Sequence, residues 1–169
     1  MNLVGIDFEM ANATKGALCA FGIHYPNGDN SYAALRLHPE HGGVQERTAY
    51  HGIHPILATD GMPPETLYNR LLALPEDTVL AAHDARIDRR ELAAWYDMWG
   101  LEPLYFTWID TLKIAQRHYT KGAKNGVAAR AERMGLKVRP HNPTDDAWVA
   151  WEIAARYDWG NLQPIRDSA

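Results

Sequence analysis

LVGIDFEM, residues 3–10, begins apolar and then sets two carboxylates two positions apart. Branched and aromatic residues in so short a run predict a β-strand over residues 3–8. Side chains alternate along a strand, so Asp7 and Glu9 share one face while Phe8 turns to the other. Two like charges side by side on a largely apolar strand are unfavourable unless something positive joins them. A divalent cation held by carboxylate oxygens is a fitting partner. The plainer alternative is a pair of ordinary acids at a solvated strand end.

Working outward, residues 17–25 and 31–37 read as two further strands. Asn27-Gly28 lies between them and signals a type I′ turn, so the two should pair as an antiparallel hairpin. The polar run 38–47 reads as loop, and Pro63 and Pro64 open a helix over 63–74 with Leu67, Leu71 and Leu72 on one face. Thr78–Ala82 is a fourth strand. A helix follows over 87–99 and ends near Gly100. Residues 103–108 are a fifth strand, and Thr111–His118 a helix. Asn125 is placed to cap a helix ending at Gly135, and a last helix covers 143–157. Three strands followed by alternating helices and strands predict an α/β domain: a five-stranded mixed sheet flanked by helices. The expected layout is one domain over 1–160 and a loosely structured tail over 161–169.

Bulk properties agree with an ordinary globular chain. At 169 residues there is enough for one packed core, with 46% hydrophobic and 22% charged residues. Nothing in the first residues reads as a secretory leader, and no stretch approaches a membrane span. The single cysteine, Cys19, leaves no internal disulfide and suits a reducing, cytoplasmic setting. Net charge is −4, but the segment from Lys113 to Arg139 carries eight basic residues against Glu132 alone. A basic segment beside an acidic remainder fits phosphate on one side and metal-binding carboxylates on the other, or else a solvated helical face.

Two more acids and a histidine complete a set. Asp88 follows the strand Thr78–Ala82, beyond its carboxyl end, where open α/β sheets place ligands. In HNPTDDA, residues 141–147, Asn142 is a good N-cap and Pro143 a good first helical residue. Asp146 is then fixed on the first turn, with His141 on the loop before it. Each signal alone also fits an ordinary first-turn acid. Together, Asp7, Glu9, Asp88 and Asp146 carry the charge that two divalent cations neutralise. Two such ions about 3.5–4 Å apart are the usual device for in-line displacement at a phosphodiester. His141 is of the residue type suited to proton transfer from an attacking water. His24, His38, His41, His54 and His118 lack partner acids at ligand spacing and read as surface or packing residues. The Trp148–Trp151 pair reads as core, and Cys19 as a small buried residue.

These motifs resemble the DEDDh branch of the DnaQ-like 3′→5′ exonucleases, a family that includes the epsilon proofreading subunit, RNase T and oligoribonuclease. GIDFEMAN with Cys19 and Gly22 is similar to its first motif. HGI, residues 51–53, resembles a segment that borders substrate. AAHDARID resembles its second motif, IDTLKIAQ its Asp-Thr-Leu strand end, and HNPTDDA its third, His-x4-Asp. The resemblance runs from residue 3 to residue 157. It implies an RNase H-like fold, two divalent cations (Mg²⁺ or Mn²⁺), and hydrolysis from a free 3′ end of nucleic acid, single-stranded DNA favoured and RNA admitted. Asp7 would bridge both ions, Glu9 and Asp146 would hold the one that activates water, Asp88 would serve the second, and His141 would be the general base. Phe8, Met10, Ala11, His51, Asp84 and Ile87 form the implied substrate-binding set.

Two departures stand out. Asp84 occupies a position where the family has Asn, adding negative charge near phosphate, and Ile87 replaces a stacking Phe. Pro143 also stiffens the loop behind His141. A weakly active nucleic-acid-binding or polymerase-associated module is the alternative reading, and the sequence leaves homodimer or polymerase partnership open.

Overall fold

The computed structural model describes residues 2–41, 46–54, 60–118, 125–157 and 164–167. The acid-bearing strand β1 (Asn2–Met10) lies inside the sheet. On one side it pairs antiparallel with β2 (Leu18–His24), which pairs with β3 (Asn30–Ala34). On the other it pairs parallel with β4 (Thr78–Ala82), which pairs parallel with β5 (Thr107–Asp110). A two-residue β6 (Ile165–Arg166) closes that edge antiparallel to β5, giving the order β3-β2-β1-β4-β5-β6. Among the described residues the sheet thus has six strands where five were expected.

That sixth strand comes from the tail expected to be loose. Asp167 holds it: its carboxylate accepts hydrogen bonds from the Phe106 N–H, the Trp108 indole and Arg89. The same contacts explain why the fifth strand begins at Thr107 rather than 103. Phe106 spends its N–H and carbonyl on Asp167, and β5 runs only where Val79–Ala82 offers a partner. The expected domain boundary at 160, and residues 161–163 and 168–169, lie outside the described residues.

The β2–β3 hairpin forms as expected, but its turn is not type I′. The loop spans residues 25–29, closed by Tyr25 N–H to the Asp29 carbonyl, and only Gly28 takes a positive φ, 88°. Type I′ needs φ > 0 at both central residues.

Among the described residues six α-helices flank the sheet: α1 (Thr48–His51), α2 (Glu65–Leu72), α3 (Ala85–Trp99), α4 (Thr111–His118), α5 (Val127–Arg133) and α6 (Pro143–Arg156). Among the described residues no helix is long and apolar enough to cross a membrane. The cap of α5 is Gly126, not Asn125, because the Asn125 carbonyl is taken by His83. Alternation along β1 sorts its neighbours. Val4, Ile6 and Phe8 pack with Leu67, Leu71, Leu92 and Trp95 on one face of the sheet. On the other, Val79, Ala81 and Ile109 pack with Ile114, Val149 and Ile153.

Asp7 and Glu9 therefore point toward α6, and two glycines let that helix come close. A Cβ on Gly5 would overlap the Ala147 carbonyl, and one on Gly22 the Pro143 carbonyl. The Trp151 indole donates to the Leu3 carbonyl at 3.0 Å, fastening α6 to β1.

Candidate active site

Three local devices aim the carboxylates. On β1, the pairing register shifts between Glu9 and Met10, so the strand breaks from its ladder just past the second acid. On α6, the Asn142 side chain accepts the Asp145 N–H at 3.2 Å and Pro143 opens the first turn, as the sequence predicts. Asp146 is thereby fixed against the sheet, and its carboxylate accepts the backbone N–H of His141. On α3, Asp88 sits on the first turn and accepts the Phe8 N–H. Phe8 serves the site through its backbone, since its ring is buried on the opposite face.

Both approaches to these helices use left-handed backbone. Asp84, before α3, has φ 68°, and His141, just ahead of the α6 cap, has φ 58°. Such conformations are uncommon outside glycine, with Asp and His among the residues that tolerate them. When strained backbone occurs it concentrates at functional sites.

A cleft of about 570 Å³ gathers Asp7, Glu9, Asp88, Asp146 and His141, with Met10, Ile87, His83, Pro140 and the start of α5 as walls. Glu9, His141 and Asp146 each offer a ligand atom within 4.8 Å of the others. His141 is exposed and Asp146 buried. The electrostatics are those of a site built for positive charge. Burial, then Asp88, Asp146 and Glu9, pushes the Asp7 carboxyl well above its ordinary range. Burial and Asp146 push Glu9 up to about 8, with Arg47 opposing. Asp88 rises to about 8, chiefly through burial, despite the Phe8 N–H. Asp146 rises to about 7 for the same leading reason. Its Oδ1 is buried without a hydrogen-bond partner among the described residues. Crowded carboxylates with an unmatched oxygen are what hard divalent cations bind, so the residues present fit Mg²⁺ or Mn²⁺.

Other expected residues sit as follows. His51 accepts the Ile53 N–H on Nδ1, and its Nε2 lies 3.9 Å from the Cys19 thiol. Its charged form is disfavoured by burial, with His141 among the opposing charges. Ala11 is fully buried behind the cleft, its backbone paired with Ala17 and Arg47. The Asp84 carboxylate is forked by Arg86 at 3.0 and 3.3 Å, so much of the charge that departs from the family pattern is met locally. Ile87 lines the cleft with its side chain partly exposed.

Sequence reasoning gave no role to three residues here. Arg47 is a cation acting on Glu9, hidden in a stretch read as loop. His83 bonds the Asn125 carbonyl at 2.7 Å and Thr111 at 3.1 Å, tying the β4 exit to the α5 wall of the cleft. Asp110 adds negative charge near Asp88. His83 and Asp110 both fall inside the quoted motifs, which is the signal that could have found them. Of the other histidines, His24 packs edge-on to Trp151 and His41 is buried, while Trp148 and Trp151 belong to the α6 packing.

No protein-family model and no curated protein sequence matches the chain. Solved structures do. The nuclease domain of 3′hExo, a DEDDh family member bound to rAMP, superposes with a TM-score of 0.66 at 15% identity, over 99% of this chain and 96% of that one. A 3′-exonuclease that recognises the 3′ end of the histone mRNA stem-loop gives 0.68 at 14%, over 99% and 91%. Cell-death related nuclease 4 (CRN-4) gives 0.61 at 16%, over 96% of this chain and 64% of that one. Six strands in this order, flanked by these helices, are RNase H-like, and the chain has the fold of the DnaQ-like, DEDDh-type 3′ exonucleases.

Proposed function

We propose that the protein is a metal-dependent 3′→5′ exonuclease acting on nucleic acid with a free 3′ end, single-stranded DNA favoured and RNA admitted. The observation that carries this is the convergence of Asp7, Glu9, Asp88 and Asp146 in one cleft beside an exposed His141. Four carboxylates, three of them pushed into or just above neutrality, are wasteful in a binding module but suited to holding two cations. When bound, the cations supply a lowered water pKa and a counter-charge for the leaving oxygen. His141, on a loop with Glu9 and Asp146 close by, accepts the proton of the attacking water. Met10, Ile87 and the α5 wall exclude water around the terminal nucleotide. A cytoplasmic setting is part of the same proposal, resting on the lone buried Cys19.

The test is turnover of a 3′-labelled oligonucleotide with Mg²⁺ or Mn²⁺ against the same sample in EDTA. Stepwise shortening from the 3′ end, abolished by EDTA, is the expected result. Binding without turnover would favour the non-catalytic alternative.

A further inference from the structure

Two basic surfaces adjoin the cleft, the segment from Lys113 to Arg139 and the start of α3. Of the eight basic residues between Lys113 and Arg139, Lys121 and Lys124 lie outside the described residues. Arg130 is fully buried, while Arg117, Arg133, Lys137 and Arg139 are exposed, Arg139 above the Asp145 it pairs with. Lys113 sits 4.0 Å from Asp110.

A second groove, of about 360 Å³, lies along α3 and carries Arg86, Arg89, Arg90 and Tyr105. It begins on the helical turn that serves the cleft. Ile87 and Asp88 line the cleft, while Arg86 and Arg90 line the groove. Arg86 and Arg90 stand four residues apart, one above the other on one side of the helix. Their acids lie beneath them. The Arg86 side chain is 68% exposed over an Asp84 at 21%, and Arg90 is 56% exposed over a Glu91 at 5%. Each ion pair thus presents its cation to solvent and keeps its anion below. Arg89, by contrast, is turned inward onto Asp167. Tyr105 is half exposed at the groove, on the stretch leading into β5. Surface guanidinium groups beside an open aromatic ring form the usual platform for single-stranded nucleic acid, the cations taking phosphates and the ring a base.

Resting on the exonuclease reading, we infer that the α3 groove binds the single-stranded 5′ portion of the substrate, with Arg86 and Arg90 on its phosphates and Tyr105 under a base. The strand crosses the first turn of α3 to reach the cleft, so short and long substrates differ at these three residues.

The experiment compares the native chain, Arg86→Gln/Arg90→Gln and, because Arg90 covers a buried carboxylate, the independent Tyr105→Ala. Substrates are a dinucleotide, a single strand of about 12 nucleotides, and the p-nitrophenyl ester of thymidine 5′-phosphate, which fills only the cleft. KM for the long strand should rise roughly 10-fold or more in each variant, with dinucleotide and ester kinetics of Tyr105→Ala within about twofold of native. The salt dependence of long-strand binding, measured by anisotropy in EDTA, should flatten by about 1.4 in logarithmic slope for the double variant. Native KM and native salt slope in both variants would overturn the inference. A native chain that hydrolyses neither ester nor oligonucleotide in metal sinks the exonuclease reading instead, and the anisotropy slope still tests the groove.

Discussion

α3 and α6 each deliver one carboxylate to the cleft, and they begin in different ways. α6 starts by local rules: Asn142 caps with its side chain and Pro143 sets the first turn, so Asp146 is placed by its immediate neighbours. α3 has no side-chain cap. Asp84 enters it in left-handed backbone, its carboxylate drawn aside by Arg86, while the preceding His83 is pinned to Asn125 and Thr111. Asp146 is thus positioned by sequence-local chemistry and Asp88 by tertiary contacts. Two acids serving one site can rest on unequal foundations.

The largest effects are expected at the acids themselves. Asp146→Ala and Asp88→Ala should each remove essentially all metal-dependent turnover, measured on a 3′-labelled oligonucleotide. If one of them kept near-native rates, its helix would not serve the site. His141→Ala should reduce kcat by about 10²–10⁴-fold with metal affinity kept, as expected for lost general-base assistance.

Next in size is the pH response of the metal-free chain. Burial raises the folded-state pKa of Glu9 and Asp88 to about 8 and of Asp146 to about 7, from ordinary values near 4. The folded chain therefore holds protons that the unfolded chain has released, and stability falls as pH rises from about 4 to about 8. Thermal unfolding in EDTA should show Tm dropping across that window, and Mg²⁺ should restore most at the alkaline end. A flat Tm profile would mean the acids are not crowded. For the same reason Asp88→Asn should be more stable than the native chain in EDTA at alkaline pH, while inactive.

Smallest are the helix starts. Asn142→Ala removes a side-chain cap and should destabilise by about 1 kcal/mol, read by denaturant unfolding. Asp84→Asn, with no cap to lose and a residue equally tolerant of left-handed backbone, should stay within about 0.5 kcal/mol. Equal losses would erase the distinction between the two starts.

The same distinction accounts for what the sequence showed. The β1 pair, the hairpin, the α6 cap and the order of elements follow from alternation, turn residues and capping, all short-range. The type of the 25–29 turn, the start of β5 and the sixth strand did not follow, because they depend on partners far along the chain, such as Asp167 with Phe106 and Trp108. In the site, Asp7, Glu9 and Asp146 stand on recognisable strand and cap signals. Arg47 and His83 act across long sequence separations, and the fork between Arg86 and Asp84 sits where the backbone turns left-handed. Gly22 is a case between: present in the motif, its reason becomes plain only when Pro143 is seen packed against it.

Calorimetric titration of Mn²⁺ into the native chain and into Asp7→Asn shows whether the four carboxylates hold a pair of cations. Saturable binding of two ions per native chain, with at least one lost in the variant and turnover lost alongside it, is the predicted result. Absence of saturable binding, or the same two ions held by Asp7→Asn, would contradict it.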